Sequence, residues 1–498
     1  MTDTAIPSPS VSDASSDVPV YRCFVNGEWR STGSTFPDYN PYDGGLVAEV
    51  ANCGREEAHA AVEAAAAAYE DWSHTTPATR AKLFLKAAEI VERRQAEIAA
   101  IVTREIGGAS FFAAYMQKIV IGMLEQAASW VYRSQGEVLP TDFPGTTALA
   151  IRRPLGVVAS FTPWNGPSVL GWRGAILPLV WGNTVVLKPS ELGPISAGII
   201  MAEVLEEAGF PTGTVNVITH GPGEVGPIAD EFFENDAVRI VNFTGSVRTG
   251  RILAERAGRA LKRSVMELGG YNPVIIDADV DIDYAVRVAT FSAFFHQGQI
   301  CTSARKIYVK REIHDAFLER FIASAQSLKT GDPTETGVVV GPLITPQAVA
   351  AVQARVDEAV AKGAKVLTGG RADGQVYEPT ILANVPDDAG VACEETFGPV
   401  VIVEPVDDLE DAVRDTNRSL YGLVASILCR DTARAFALGN KIVTGNVHIN
   451  VPTVHEEINH PGGVVRDSGW GRGGPHSAAE FTDLIKVTIE PDQRQLPI

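Results

Sequence analysis

The fold is decided by residues 154–187, which read PLGVVASFTPWNGPSVLGWRGAILPLVWGNTVVL and carry one charged side chain, Arg173. A run of this length and apolarity also raises the possibility of a membrane-spanning helix. However, prolines and glycines recur along it, for example Pro163, Gly166 and Pro178, and they divide the run into short elements. We therefore predict two buried strands, LGVVASF and TVVLK, joined by a loop and a helix, and no membrane span.

The alternation of strand and helix continues toward the C-terminus. Helices are predicted around Ile195–Ala208, Val225–Phe233 and Arg248–Ala257, separated by the strands TVNVIT, VRIVNFTG and PVIID. A second alternating series runs from Ala285 to about Val447. Strands that alternate with helices are typical of right-handed βαβ units, so the pattern predicts an α/β fold built on parallel sheet.

The N-terminal part of the chain has a different pattern. Helical spacing of apolar residues extends from Arg55 to about Gly107, and a third helix is predicted over Phe111–Tyr132. The following segment, QGEVLPTDFPGTTALAIRR, has turn residues between β-rich ends and is predicted to form a hairpin arm. Residues 1–20 are rich in Ser, Pro and Asp, which indicates a disordered tail rather than a secretory signal.

Composition narrows the class of protein. The 498 residues carry a net charge of −19, which argues against nucleic acid or an anionic membrane surface as the partner. Five cysteines, at positions 23, 53, 301, 393 and 429, include no CxxC pair, so neither a disulfide framework nor a metal site is indicated. These features predict a soluble, multidomain cytoplasmic protein.

Two residues on the C-terminal side of the parallel-sheet segment are candidates for catalysis. Cys301, in FFHQGQICTSARK, could act as a thiolate nucleophile on a carbonyl, although a buried structural cysteine fits the same pattern. Glu267, in VMELGG, stands in an apolar run that would raise the pKa of its carboxyl group and suit it to remove a proton from water. The alternative is that Glu267 is partly buried and forms a salt bridge, with no catalytic role.

Other candidates follow predicted strands. Asn165, in PWNGP, could donate a hydrogen bond to an oxyanion, or could serve only as a turn residue. Gly245 and Ser246 open a helix, whose positive end can receive a pyrophosphate. Lys188 and Glu191 follow the strand TVVLK, where a carboxylate can accept hydrogen bonds from ribose hydroxyl groups. The alternative there is a solvated charge pair.

The order of these motifs is more specific than any one of them. PWNGP, KPSE, FTGS, ELGG, GQICTS and EETFGP begin at positions 163, 188, 243, 267, 298 and 394. In this order they resemble the NAD(P)-dependent aldehyde dehydrogenase superfamily over nearly the whole chain after about residue 21. The stretch INVPTVHEE, residues 449–457, is similar to members that oxidise aromatic aldehydes such as benzaldehyde, vanillin or salicylaldehyde.

The resemblance implies roles for individual residues. Cys301 would form a thiohemiacetal with the aldehyde, Asn165 and the Cys301 N–H would hold the oxyanion, and Glu267 would activate water to hydrolyse the thioester. NAD would be the cofactor, with NADP possible, and the Glu191 carboxylate would favour NAD by repelling a 2′-phosphate. The residues expected to contact the cofactor are Trp164, Lys188, Glu191, Gly245, Ser246, Leu268, Glu395 and Phe397.

The resemblance also implies the domain organisation. It comprises a Rossmann-like cofactor domain (21–133 and 155–265), an α/β catalytic domain (266–477) and a small β oligomerisation arm (134–154 and 478–498). A homodimer or homotetramer is expected, with FTDLIKVTIE joining the sheet of a partner.

Three positions depart from the family pattern. Tyr271 replaces the Lys that usually follows ELGG, Val247 replaces a Thr after Gly-Ser, and Pro461 replaces the aromatic residue of a Pro-Phe-Gly-Gly segment. The last change predicts a differently shaped substrate pocket. Five aromatic side chains could form one wall of that pocket or could belong to the core: Phe111, Phe112, Tyr115, Trp172 and Phe294.

We therefore expect the substrate to be an aromatic aldehyde. A medium-chain aliphatic aldehyde or a semialdehyde is the second choice. A CoA-acylating enzyme would share the fold but usually lacks the base that Glu267 provides. A non-catalytic binding protein on the same scaffold could lose Cys301 or Glu267, and both are present here.

Overall fold

The computed structural model describes residues 10–11, 18–133 and 135–491. Most of the predicted disordered tail, residues 1–9 and 12–17, lies outside the described residues. Val11 forms an isolated antiparallel bridge with Tyr21, and the first strand is Val20–Tyr21.

The stretch 154–187 forms the strand Val157–Thr162, the helix Pro167–Val180 and the strand Thr184–Pro189. This confirms the predicted division of the apolar run. Within the described part of the chain, no helix combines the length and apolarity needed to cross a membrane.

These two strands lie in the middle of an eight-stranded sheet, whose five central strands are parallel. In spatial order the sheet consists of Gly469–Trp470, Arg263–Glu267, Val238–Thr244, Val157–Thr162, Thr184–Pro189, Val215–Val217, Cys23–Val25 and Glu28–Arg30. The strand order reverses between Val157–Thr162 and Val238–Thr244. In open parallel sheets a crevice forms at such a switch point, at the C-terminal ends of the strands.

Both faces of this sheet are buried, because alternate residues of each strand join different cores. Val158 and Val185 pack into one core, whereas Val157 and Val186 pack into the other. Helices cover each face, and this explains why the central strands read as continuous apolar runs.

Three helices precede the five parallel strands of this sheet along the chain, namely Arg55–Ser73, Pro77–Ile106 and Ser110–Trp130. The second begins at Pro77, directly after Thr76, whose hydroxyl accepts a hydrogen bond from the Thr79 N–H. It ends at Gly107, which has a left-handed φ of 66° and packs so closely that a Cβ there would lie 2.5 Å from Pro342 Cγ. The predicted helix end is confirmed.

A second sheet has seven strands, six of them parallel. In spatial order they are Lys365–Thr368, Thr380–Ala383, Val400–Val406, Lys306–Lys310, Val274–Ile276, Val424–Leu428 and Asn446–Ile449. The two large sheets confirm the predicted α/β fold class.

The predicted hairpin arm is present as Gly136–Leu139 paired with Thr147–Pro154. The late strand Thr482–Ile489 pairs antiparallel with Thr147–Pro154 of the same chain. Gly469–Trp470, from the predicted catalytic segment, joins the edge of the first sheet. The domain boundaries stay a prediction.

The remaining elements connect these sheets or decorate them. The predicted helix Ile195–Ala208 begins with one π-helical turn, Ile195–Ile199, before the α-helix Ile200–Ala208. The other α-helices are Gly226–Glu234, Val247–Arg259, Ile282–Phe294, Arg311–Ser327, Pro346–Ala361, Gly390–Cys393, Leu409–Thr416, Thr432–Gly439 and Ala478–Phe481. The 3₁₀ turns are Phe295–Gly298, Arg466–Ser468 and Gly474–Ser477, and the other strands are Thr35–Tyr39, Leu46–Ala51, Lys329–Thr330, Val338–Val340, Ala372–Asp373 and Val376–Tyr377.

Candidate active site

A cavity of about 220 Å³ lies at the C-terminal ends of the parallel strands of the first sheet. Its wall includes Asn165, which follows the strand Val157–Thr162, and Glu267, which ends the strand Arg263–Glu267. Cys301 lies on the same wall. Three residues that are far apart in sequence therefore line one cavity.

The chain that leads to Cys301 is held rigidly. After the helix Ile282–Phe294 it turns through left-handed conformations at His296, Gln297 and Gly298. The Gln297 amide donates a hydrogen bond to the Pro342 carbonyl at 2.9 Å, and the Arg305 guanidinium donates one to the Gly298 carbonyl at 2.7 Å. These side chains hold the backbone in a conformation that it would otherwise rarely adopt.

Asn272 also holds the backbone at Cys301. Its side-chain amide donates to the Cys301 carbonyl at 2.6 Å and to the Ser303 carbonyl at 2.9 Å. Asn272 is buried and has a φ of 52°. Sequence reasoning missed this positioning residue, and its place two residues after ELGG was the available signal.

The Cys301 thiol is protonated at neutral pH in this environment. Burial raises its pKa to about 12, and the Glu395 carboxylate adds to that rise, whereas the Arg173 guanidinium lowers it. A thiol of this kind attacks a carbonyl only after a nearby base has taken its proton.

Glu267 has the properties of such a base. Burial raises the pKa of its carboxyl group to about 7, with Arg173 opposing the rise and Glu456 adding to it. Among the described residues we find no hydrogen bond donated to this carboxyl group. It can therefore exchange a proton near neutral pH without breaking an existing contact.

Asn165 lies beside the Cys301 loop and is buried. Its side-chain amide donates a hydrogen bond to the Gln299 carbonyl at 2.9 Å, two residues before Cys301. The Gln299 side chain in turn accepts a hydrogen bond from the Ile344 N–H at 3.0 Å. The amide donor predicted from the sequence is thus held next to the candidate nucleophile.

One end of the crevice carries charged groups suited to a ribose. The Lys188 ammonium donates a hydrogen bond to His220 Nε2 at 2.8 Å, and His220 Nδ1–H donates to the Gly221 carbonyl at 2.8 Å. Burial lowers the pKa of His220 to about 4, so the ring is neutral and can accept from Lys188. Glu191 is 28% exposed, beside this pair.

The turn after Val238–Thr244 leads directly into the helix Val247–Arg259. The Ser246 hydroxyl caps this helix by accepting a hydrogen bond from the Thr249 N–H at 3.3 Å. The Gly245 N–H, expected to face a ligand, instead donates to the Glu267 carbonyl at 3.0 Å. The N–H groups of Val247 and Arg248, in the first helical turn, are therefore the donors available for a pyrophosphate, rather than that of Gly245.

The other end of the crevice comes from the second sheet. Glu395 accepts a hydrogen bond from the Gly270 N–H at 3.3 Å, and a Cβ on Gly269 would lie 2.3 Å from the Glu395 carboxylate. The rings of Trp164 and Phe397 meet edge to face with centroids 5.7 Å apart. Two carboxylates and a helix N-terminus offer hydrogen-bond acceptors and donors of the kinds that suit a dinucleotide.

Leu268 differs from the other predicted cofactor residues. Its side chain packs in the core under the helix Val247–Arg259, where a Cβ on Gly250 would lie 2.5 Å from it. Like the other seven predicted cofactor residues, it does not line the 220 Å³ cavity.

Comparison with known proteins agrees with this geometry. Residues 29–487 match the model of the aldehyde dehydrogenase family. The chain belongs to this family. It is 41% identical over 467 residues to a vanillin dehydrogenase of Pseudomonas fluorescens, covering 94% of this chain and 96% of that protein. It is 34% identical over 477 residues to a benzaldehyde dehydrogenase of Bacillus subtilis, covering 95% and 98%.

The fold agrees as well. A crystal structure of a salicylaldehyde dehydrogenase from Pseudomonas putida G7, complexed with salicylaldehyde, superimposes with a TM-score of 0.94 at 36% identity. The match covers 96% of this chain and 99% of that one. The prediction of an aldehyde-oxidising oxidoreductase that uses NAD(P) is thereby confirmed.

The predicted aromatic wall is correct only in part. Phe112 and Tyr115 line the cavity of this aldehyde dehydrogenase, but Trp172 is buried in the core. Phe294 is buried against Phe321 and does not line the cavity. For these two residues the alternative of a core position is correct, because adjacent residues on a helix face different directions.

Phe295 takes the place predicted for Phe294. It lines the cavity, and its ring lies near those of Phe111, Phe112 and Tyr115. Phe111 itself is 43% exposed and is absent from the cavity wall. The Phe, Tyr and Trp residues that line the cavity are therefore Phe112, Tyr115, Trp130, Phe295 and Phe481.

The three departures from the family motifs have different structural consequences. Tyr271 is buried, and no residue in the described ranges accepts a hydrogen bond from its hydroxyl group. Val247 is the first residue of its helix. Pro461 lies outside the cavity wall, which its neighbours His460 and Gly462 form instead.

Proposed function

We propose that this aldehyde dehydrogenase oxidises an aromatic aldehyde to the carboxylic acid with NAD. The observation that carries the proposal is one cavity holding a cysteine, a carboxyl group with a pKa near 7 and an aromatic wall. The dehydrogenases of vanillin, benzaldehyde and salicylaldehyde described above support the substrate class. A planar ring packs favourably against the faces and edges of the aromatic wall.

In the first step Glu267 takes the proton of the Cys301 thiol, and the thiolate sulfur adds to the aldehyde carbon. The carbonyl π electrons move to oxygen, where the Asn165 amide and the Cys301 N–H stabilise the negative charge of the thiohemiacetal. The bound nicotinamide supplies a hydride acceptor. When hydride leaves, the C=O bond re-forms and Cys301 carries a thioester.

Glu267 then releases the thiol proton to solvent. In the second step the Glu267 carboxylate removes a proton from water, whose oxygen adds to the thioester carbon. The C–S bond then breaks, the carboxylic acid leaves, and the proton held by Glu267 passes to the sulfur and restores the Cys301 thiol. Glu267 therefore acts twice, and its pKa near 7 suits both transfers.

Replacing Asn165 with alanine is expected to lower kcat about 100-fold, because one oxyanion donor stabilises the transition state by roughly 3 kcal/mol. The measurement is NADH formation with benzaldehyde at saturating NAD. Because Asn165 also contacts the Gln299 carbonyl, thermal unfolding of the variant serves as the control for folding. A loss below fivefold in a folded variant would contradict the role.

The cofactor preference follows from the ribose end of the crevice. Lys188 is buried and its ammonium group is engaged by His220, whereas the Glu191 carboxylate is partly exposed. A 2′-phosphate would therefore meet a negative charge. We expect at least a tenfold preference for NAD over NADP in kcat/KM.

The variant Glu191→Gln should reduce that preference below about threefold. Glu92→Gln is the matched control, since Glu92 is exposed on the helix Pro77–Ile106 and the same charge is removed. Equal rates with NAD and NADP in the unaltered enzyme would refute the preference.

A screen of NADH formation across benzaldehydes, medium-chain aliphatic aldehydes and semialdehydes tests the substrate class. The proposal expects the highest kcat/KM for a benzaldehyde. A higher value for an aliphatic aldehyde or a semialdehyde would replace it. Recovery of acyl-CoA, rather than free acid, when CoA is present would indicate the acylating alternative.

We also propose a homo-oligomer joined through the β arm. The strand Thr482–Ile489 forms one edge of its three-stranded sheet, and its Leu484 and Ile489 are 56% and 49% exposed. Light scattering should give at least twice the mass of one chain, and Leu484→Lys should lower it. A single-chain mass for the unaltered protein would refute this.

A reducing, cytoplasmic compartment suits Cys301, which must stay a free thiol.

A further inference from the structure

The cavity contains an ion pair that the chemistry above does not use. Arg173, on the helix Pro167–Val180, forms a salt bridge with Glu456, which lies in the loop after the strand Asn446–Ile449. Both residues line the cavity wall with Cys301 and Glu267. Their side chains are 26% and 41% exposed.

Arg173 is close enough to the reacting groups to act on them electrostatically. Its guanidinium lowers the pKa of both Cys301 and Glu267. Glu456 is in turn the largest influence on Arg173, whose pKa it raises. Apolar neighbours on the same wall, such as Val169 and Ile458, keep the local dielectric low and strengthen these interactions.

An arginine alone on such a wall would bind a carboxylate well. Its guanidinium is always charged and presents two parallel N–H donors to the two oxygens of a carboxylate. Here Glu456 already supplies that partner. A second carboxylate, brought by a substrate, would have to displace Glu456 or approach its negative charge.

Resting on the proposed function, we propose that Glu456 is a specificity residue that neutralises Arg173 and thereby excludes aldehydes that carry a carboxylate. The cavity then admits neutral aromatic aldehydes and rejects semialdehydes and formylbenzoates. Without Glu456 the same cavity would accept them, because Arg173 would become their counter-ion.

The test compares benzaldehydes that carry a charged or a neutral substituent at the same ring position. For each ring position, 3 or 4, the kcat/KM for the formylbenzoate is divided by the kcat/KM for the methylbenzaldehyde. A variant that changes catalysis in general alters both values equally, so this ratio is unchanged. In Glu456→Gln this ratio should rise at least tenfold over the unaltered enzyme. Glu456→Ser removes the same charge and should give the same result if the first variant does not fold.

Glu457→Gln is the matched control. Glu457 lies on the same wall and loses the same charge, but its ion-pair partner is His455, at 3.7 Å, and not Arg173. Its ratio should change less than threefold. An equal rise in Glu456→Gln and Glu457→Gln would overturn the proposal, since it would show a general effect of charge.

Arg173→Gln provides a test in the opposite direction. In this single variant Glu456 is unpaired and repels carboxylates, so the ratio should fall. In the double variant Arg173→Gln/Glu456→Gln, the rise in the ratio that Glu456→Gln causes on its own should disappear. If Glu456→Gln oxidises 4-methylbenzaldehyde with an unchanged ratio, the specificity role is refuted while the proposed function stands. If the unaltered enzyme oxidises no benzaldehyde, the proposed function fails and the specificity role falls with it.

Discussion

Replacing Cys301 with alanine is expected to lower NADH formation from benzaldehyde by at least about 10⁴-fold, because loss of a nucleophile removes the covalent route altogether. The cavity should otherwise persist, since the Asn272 amide holds the backbone carbonyl of residue 301 and not its side chain. NAD binding, measured by fluorescence titration, should change less than threefold. The two measurements together separate loss of chemistry from loss of fold.

Cys393→Ala is the matched control for this variant. Cys393 is an exposed thiol at the end of the short helix Gly390–Cys393, and it does not line the cavity. Its replacement should leave kcat within twofold. NADH formation by Cys301→Ala at more than a hundredth of the original rate would refute the nucleophile assignment.

The second large effect is expected for Glu267→Gln, which should lower steady-state turnover by about 10³-fold. Glutamine has nearly the same shape, so the cavity is kept while the base is lost. At pH 9, where the small thiolate fraction is larger than at pH 7, we expect a burst of about one NADH per active site followed by slow turnover. Intact-protein mass should then show an acyl group on Cys301.

The pH dependence gives an independent check. Burial raises the pKa of Glu267 to about 7, and the base is active only when deprotonated. Turnover should therefore rise between pH 6 and pH 8 and then level off, and this rise should be absent in Glu267→Gln.

Glu480→Gln is the control for the pH profile. The Glu480 carboxylate raises the pKa of Glu267 without lining the cavity. Its loss should move the midpoint of the profile to lower pH and preserve hydrolysis. A normal steady-state rate in Glu267→Gln, with no accumulated acyl-enzyme, would show that another group activates water.

Much of the fold could be predicted because its signals are local. The strands around Val157–Thr162 and Thr184–Pro189 are short apolar runs bounded by Pro and Gly, and the helix Pro77–Ile106 has a cap at each end. Asn165 and Glu191 follow those two strands, and Glu267 ends a third, whereas Cys301 follows the helix Ile282–Phe294 and a turn. Since parallel strands end at one edge of a sheet, residues that follow different strands are brought together there.

The side chains that shape the substrate cavity could not be chosen in the same way. Phe294 and Phe295 are adjacent, yet the first lies in the core and the second lines the cavity. The helix ends at Phe294 and the backbone turns through left-handed conformations at His296 and Gln297. No periodic pattern predicts which side of such a turn each ring takes.

Arg173 could be singled out from the sequence, but its ion-pair partner could not. Its sequence signal was clear, since it is the one charge in residues 154–187. Its partner Glu456 is 283 residues away, and nothing along the chain links the two.

The sequence alone thus determined the family, the parallel sheets and the candidate identities of nucleophile, base and oxyanion donor, because each depends on a short segment and its order. The tertiary structure decided the charge and shape of the cavity. Burial sets the pKa of Cys301 and Glu267, and contact across the cavity pairs Arg173 with Glu456. Both arise only when distant segments pack together and exclude water.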